Sequence, residues 1–258
     1  MFEIIIIIVG ILAGTLGGLL GIGGGIILMP VLIFYAGLSP AHAAGTCVMA
    51  VFFTTIGGTY RHYKVGHIDF KSIYPIIISG IIFTSLFSWI FIYFTKNESW
   101  LLLAMGIVFS LVSLRMLLVG FSILKIKKDN GKEIKGPIIG KSVIGAVAGI
   151  LPGLLGIGTG TILVPSFSFI LQAPIKIAMG ASLACFAANS LISTAFKFSQ
   201  GFVLLEIAIP ISIGTLIGSY FGASLNKKFS SSVLTIFFGL IFTFISIKFI
   251  LSFWGIKF

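Results

Sequence analysis

The sequence predicts an all-α membrane protein. It has about eight transmembrane segments in two homologous four-segment repeats, and the first segment of each repeat is broken at a Gly-rich turn. Three observations carry this. Of 258 residues, 58% are hydrophobic and 9% are charged, against about 25% charged in a soluble domain. Apolar stretches near the roughly 20 residues that span a bilayer recur along the chain. The two halves also coincide, glycine on glycine, at a fixed offset.

A chain this poor in charge cannot cover its outside with polar groups in water, so lipid must be part of its solvent. Only helices and closed barrels satisfy their backbone in lipid. Barrel strands alternate apolar and polar over about ten residues, and runs such as Ile4 to Ile8 do not alternate. Helices remain. The apolar segments run roughly 2–36, 43–60, 71–94, 100–124, 138–172, 177–196, 203–225 and 233–254. A basic linker, 125–141, separates a first repeat (1–124) from a second (142–258). The first apolar segment lacks a basic leader and a cleavage site and is expected to stay in the mature protein. Cys47 and Cys185 both lie in apolar segments and predict no disulfide. The net charge of +11 sits mainly in short loops and reads as topology, not as nucleic-acid binding.

The repeat is the most specific signal. Shifting the chain by 135 residues lays Gly10, Ala13 and Gly14 on Gly145, Ala148 and Gly149. It also lays Gly18-Leu19-Leu20-Gly21-Ile22-Gly23 on Gly153-Leu154-Leu155-Gly156-Ile157-Gly158, and Pro30 on Pro165. With an offset of 133, Gly106, Phe109 and Ser113 match Gly239, Phe242 and Ser246. Secondary transporters are often built this way, with the site at the repeat interface near the midplane.

The first segment of each half is too long for one straight helix across a bilayer of about 30 Å. The break is written as Gly21-Ile22-Gly23-Gly24-Gly25 and as Gly156-Ile157-Gly158-Thr159-Gly160. A helix restarting after such a turn offers free N–H groups and a positive dipole end, an arrangement that binds anions. The predicted substrate-binding set is Gly21, Gly23, Gly24, Gly25, Thr46, Gly156, Gly158, Thr159, Gly160, Thr161, Ser182 and Asn189. The upstream glycines, spaced four apart, read equally as close helix packing. Arg61, His62, Arg115, Lys197 and Lys248 are candidates for attracting or gating an anion, and snorkelling or topology is the competing reading for each. No Asp or Glu lies deep in a segment, so no carboxylate proton relay is visible.

At these residues the chain resembles the sulfite exporter TauE/SafE family. Gly-Leu-Leu-Gly-Ile-Gly-Gly-Gly at 18–25 with Pro30 carries the likeness, and so does its variant at 153–165. Ser39-Pro40-x-x-Ala43-x-Gly45-Thr46 and the stretch Tyr60-Arg61-His62 through Asp69 are also similar. The resemblance implies a secondary transporter for export or uptake of small sulfur-containing anions such as sulfite, thiosulfate or organosulfonates, with export the expected direction. The second half has Gln172-Ala173-Pro174 in place of Ser-Pro. The alternative is an anion channel, or a permease for a non-sulfur anion such as a carboxylate. No catalytic constellation, metal cluster or ATP-binding loop is present, so neither an enzyme nor a cofactor is expected. The expected partners are the lipid bilayer and a small anion, with a homo-oligomer compatible, in a multi-pass protein of the cell membrane. If each first segment crosses once, basic residues divide eleven to four and place both termini in the cytoplasm. If each is a re-entrant hairpin, the termini lie outside.

Overall fold

The computed structural model describes residues 2–121, 134, 136–225 and 231–254, and most of the basic linker falls outside them. Ten helices follow in order: α1 (Phe2–Leu20), α2 (Gly25–Pro30), α3 (Pro40–Lys64), α4 (Phe70–Thr95), α5 (Glu98–Gly120), α6 (Ile138–Leu155), α7 (Gly160–Pro165), α8 (Ile175–Ser199), α9 (Leu205–Leu225) and α10 (Ser231–Phe253). No strand occurs among the described residues. Six helices are long and apolar enough to cross a membrane: α3, α4, α5, α6, α8 and α9. Four shorter apolar stretches accompany them, at Ile4–Leu20, Gly25–Tyr35, Gly160–Ile170 and Gly239–Phe253.

Local chemistry sets the helix ends. α2 and α7 each close on a proline, Pro30 and Pro165, and each runs on into a π-helical turn, Val31–Tyr35 and Ser166–Ile170. Proline has no N–H for the carbonyl one turn back and its ring crowds that carbonyl. The wider turn accommodates it, with i→i−5 bonds such as Ala36 N to Val31 O (2.9 Å) and Leu171 N to Ser166 O (3.0 Å). The Ser39-Pro40 pair starts α3: the Ser39 hydroxyl caps the His42 amide and Pro40 takes the first helical position, where its missing N–H does no harm. Pro174 opens α8 without a side-chain cap.

The helices group into two compact units. One comprises residues 1–92 and 127–226, the other 93–126 and 227–258. In the first unit, glycines allow helices to touch backbone to backbone. A Cβ on Gly10 would lie 2.6 Å from Ile211 O, and one on Gly18 would lie 2.9 Å from Ser219 Cα. These contacts seat α1 on α9. The matching glycines seat α6 on α4: a Cβ on Gly149 would lie 2.5 Å from Gly80 O, and one on Gly153 2.8 Å from Thr84 O. Thr84 donates across to Gly149 O at 3.0 Å. An apolar core that includes Ile73, Ile144, Leu163, Phe167, Ile177 and Cys185 fills the space among α4, α6, α7 and α8.

In the second unit α5 packs on α10. Phe109 meets Phe242 edge-on, with ring centroids 5.8 Å apart. Ser110 bonds Ser246 at 2.5 Å, and Ser113 bonds Thr243 at 2.6 Å. Outward-facing side chains in both units are large and apolar, among them Ile82, Trp89, Leu111, Ile213 and Phe244, as a lipid-facing surface requires.

These contacts predict a contrast. Gly149→Leu forces a side chain into the α4 backbone, and overpacking of this kind costs about 1–3 kcal/mol. Its melting temperature in detergent should fall by several degrees. Gly140→Ala, where the nearest atom to the new Cβ is Pro137 Cγ at 3.5 Å, should leave it unchanged or raise it through better helix propensity.

Candidate functional site

Both breaks predicted from the sequence are present. α1 stops at Leu20, and Gly21, Gly23 and Gly24 take left-handed backbone at φ 72°, 82° and 70°. The amides of Ile22 and Gly23 close back on Gly17 O, at 3.1 and 3.4 Å. α2 then restarts at Gly25, with the amides of Ile27 and Leu28 on Gly24 O. In the second half one left-handed residue suffices, Gly156 at φ 67°, whose amide bonds Pro152 O at 3.2 Å. Thr159 keeps right-handed backbone at φ −77°. That is why a β-branched residue stands where the first half has Gly24. α7 restarts at Gly160, with Ile162 and Leu163 bonded to Thr159 O at 2.9 Å each.

The two breaks lie against each other. A Cβ on Gly25 would come within 3.2 Å of Gly158 N. One on Gly160 would collide with Gly21 O, and one on Gly158 with Ile22 O. The Phe186 ring lies over both, so a Cβ on Gly23 or Gly158 would meet its edge at 3.0 Å or less. Every residue of 21–25 and 156–160 is buried. α3 and α8 hold the turns in place: Ser182 Oγ donates to Gly21 O at 3.1 Å, and the Cys47 thiol approaches Gly25 O at 3.5 Å.

The structure gathers most of the predicted substrate-binding set here: the glycines of both breaks, Thr159, Thr161 and Ser182. Thr161 Oγ1 reaches Gly158 O at 3.4 Å. Thr159 Oγ1 is buried and has no hydrogen-bond partner among the described residues. Asn189 is seven residues beyond Ser182 on α8, packed on Gly80 of α4, and its Oδ1 is also buried without a partner among the described residues. Thr46 is engaged elsewhere: its hydroxyl accepts the Leu204 amide at 3.2 Å, at the start of α9.

The basic candidates separate. Arg61 donates to Ser224 Oγ at 2.8 Å at an exposed position. Arg115 and Lys248 belong to the second unit and are half-buried. Lys197 is fully buried. Its ammonium donates to Pro152 O (3.1 Å), Gly153 O (2.5 Å) and Ser193 Oγ (3.1 Å), and it stands 4.3 Å from the centre of the Phe91 ring. A cation placed on the last carbonyls of α6 offsets the negative end of that helix. His62 is buried too, with its Nδ1 3.2 Å from His67 Nδ1. Sequence reasoning overlooked His67, Phe186 and Cys47. The repeat offset, which pairs His67 with Phe202 and Cys47 with Ser182, was the signal that could have found two of them.

The family model described as sulfite exporter TauE/SafE matches residues 6–249. The chain belongs to this family. A probable membrane transporter protein, YunE, of Bacillus subtilis is 28% identical to it, covering 91% of this chain and 92% of its own. A probable membrane transporter protein of Xylella fastidiosa is 29% identical over 95% of this chain and 94% of its own. A sulfite exporter TauE/SafE family protein 2 of Arabidopsis thaliana is 35% identical over 72 residues, which is 27% of this chain and 16% of its own. No solved structure gives a significant match. The TauE/SafE chain is therefore a multi-pass membrane transporter and not an enzyme, in contact with the bilayer.

The setting of Lys197 makes a signed prediction. Lys197→Glu sets a carboxylate against two carbonyls and the face of a ring, all repulsive. It should destabilise by at least about 3 kcal/mol, the scale of an uncompensated buried charge. Lys197→Met removes the charge along with its desolvation penalty and should lose much less. Thermal unfolding in detergent ranks the two, and the reverse order would contradict the carbonyl clamp.

Proposed function

We propose that this protein is a secondary transporter, working as an exporter, of small sulfur-containing anions such as sulfite, thiosulfate or organosulfonates. In this reading the anion binds between the two glycine breaks, near the middle of the membrane. One observation carries it: two interrupted helices meet at their interruptions, and beside them the Thr159 hydroxyl is buried without a partner. Helix restarts present amides and a positive dipole end to an anion. Such an arrangement holds negative charge without a permanent counter-ion in contact. The sulfur chemistry rests on the family's description.

The same reading takes the halves as homologous repeats of four transmembrane segments each, related by an approximate two-fold axis. Its support is reciprocity. About a two-fold axis, if residue i touches the counterpart of j, then j touches the counterpart of i. At the offset of 135, Gly21 abuts Met179 while Gly156 abuts Ala44, and Gly45 abuts Phe202 while Gly180 abuts His67. Thr55 and Ser190, counterparts of each other, meet at 3.5 Å. At the offset of 133, Ser110 pairs with Ser246 and Ser113 with Thr243.

A thermal-shift series tests the site. Sulfite, thiosulfate and methanesulfonate should raise the melting temperature in proportion to occupancy, and acetate and other carboxylates should not. Thr159→Val keeps the shape and removes the unpaired hydroxyl. Its unliganded stability should match the parent, while anion affinity falls by about tenfold, the worth of one hydrogen bond to a charged group. Equal stabilisation of parent and variant would remove the second break from the site. A carboxylate preference would turn the reading to a permease for non-sulfur anions.

A further inference from the structure

The end of α3 pairs a buried imidazole, His62, with a half-buried one, His67, on the turn that follows. After Lys64 the chain reverses at Gly66 (φ 72°), and the His67 amide returns to His62 O at 3.0 Å. The turn lays one ring against the other, Nδ1 to Nδ1 at 3.2 Å. Both atoms are the same kind of nitrogen, so this contact needs one Nδ1 protonated and the other not. A neutral pair therefore carries two protons, one in the bridge and one on an outer nitrogen. A third proton fits on the remaining outer nitrogen without breaking the bridge. A fourth would set two N–H groups against each other. His62 Nε2 is buried and has no partner among the described residues, whichever tautomer is present.

The counterpart of this position shows that the fold accommodates a buried cation there. His62 and His67 correspond, at the offset of 135, to Lys197 and Phe202. Lys197 holds an ammonium at the matching place, fully buried. The two turns also share their backbone: Phe202 N returns to Lys197 O at 2.9 Å, as His67 N does to His62 O. One half thus carries an amine where the other carries a pair of imidazoles, each a group that can hold a positive charge.

The pair also has a short path to the glycine breaks. A Cβ on Gly180 of α8 would lie 3.1 Å from His62 Cβ and 2.8 Å from His67 O. The residues on either side of it reach the first break: a Cβ on Gly21 would lie 2.9 Å from Met179 Cα, and Ser182 donates to Gly21 O. One strip of α8, residues 179–182, is thus wedged between the imidazoles and the turn. The charged or titratable groups facing His62 are His67 on the following turn and Arg61 on its own helix. α8 presents Gly180 there, which has no side chain to titrate.

From this geometry we infer that the His62–His67 pair is a proton-binding site whose protonation strengthens anion binding at the glycine breaks. The inference rests on the transport reading above for the anion and on the pair alone for the proton. By linkage, anion binding then draws one proton onto the pair. The sequence offers no carboxylate inside a segment for this task, whereas imidazole changes charge in the physiological range.

Two measurements on the full chain in lipid nanodiscs decide it. The first uses no anion. With ¹⁵N-histidine labelling, and His42→Gln to simplify the spectrum, the pair should take up one proton as pH falls from about 8 to 5. Two rings that stay neutral across that range would overturn the inference. The second uses methanesulfonate, which remains a monoanion throughout, so that only the protein titrates. The parent's affinity should rise severalfold from pH 8 to pH 6. His62→Gln should bind weakly and His62→Lys, which copies the charge of the other half, should bind tightly, both without dependence on pH. A pH response surviving in His62→Lys would overturn the inference as well. If the parent binds no sulfur anion at any pH, the transport reading fails, and the imidazole titration alone decides whether the pair binds a proton.

Discussion

An interrupted helix inside an apolar chain must hide its exposed amides and carbonyls, because lipid offers them no partner. This chain meets that requirement by closing two interruptions on one another. Closure needs backbone to meet backbone, and a single Cβ on Gly158 or Gly160 would collide with a carbonyl of the opposite turn. The rest of the first unit follows from it. α1 and α6 must end where the turns meet, so each must pack closely along its length, α1 on α9 and α6 on α4. The glycines spaced four apart provide those faces. α3 and α8 flank the turns and satisfy the carbonyls that the turns leave over, through Cys47 and Ser182.

The same contacts are made twice, which makes their departures informative. Gly24 and Thr159 are counterparts, as are Val51 and Phe186, and His62 and Lys197. At each pair one half carries a small or neutral group and the other a larger or charged one. Phe186 spans both turns, while Val51 lies against Gly25. Thr159 adds a hydroxyl that no glycine can supply. A site between exact copies would bind an anion in two equivalent orientations. These substitutions make the surroundings of the two breaks chemically unequal.

Much of this was legible in the sequence, because glycine and proline report backbone geometry directly. The helix ends, the two breaks and the prolines before the π-helical turns all lie where those residues stand. The upstream glycines, open to two readings, prove to be packing faces: Gly10 and Gly18 touch α9, and Gly145 and Gly149 touch α4. Charged residues were harder to read. Lys197 lies two residues before the end of α8 and looks like an interface residue by position. Its ammonium instead turns inward, because three acceptors and the Phe91 ring wait there. Two of those acceptors, Pro152 O and Gly153 O, come from α6, some forty residues earlier in the chain, and no local pattern announces them. The partner of Thr46 is equally remote in sequence, since its hydroxyl accepts the Leu204 amide at a distant helix start.

The breaks differ in stiffness as well as in chemistry. The first has three residues in left-handed backbone, and glycine there has a wide choice of other conformations at little energetic difference. Gly17 O, near the end of α1, receives the backbone amides of Ile22 and Gly23, and Gly21 O receives the Ser182 hydroxyl. The second has one left-handed residue and a β-branched threonine, and Pro152 O receives the Gly156 amide, the Ser193 hydroxyl and the Lys197 ammonium together. The two turns therefore differ mainly in how much of their backbone only glycine can adopt. On the transport reading proposed above, a path opens only if the contact between the turns parts, and the side with more glycine in left-handed backbone is the one expected to move. The first break is that side, with the strip of α8 that leans on the imidazole pair lying directly behind it.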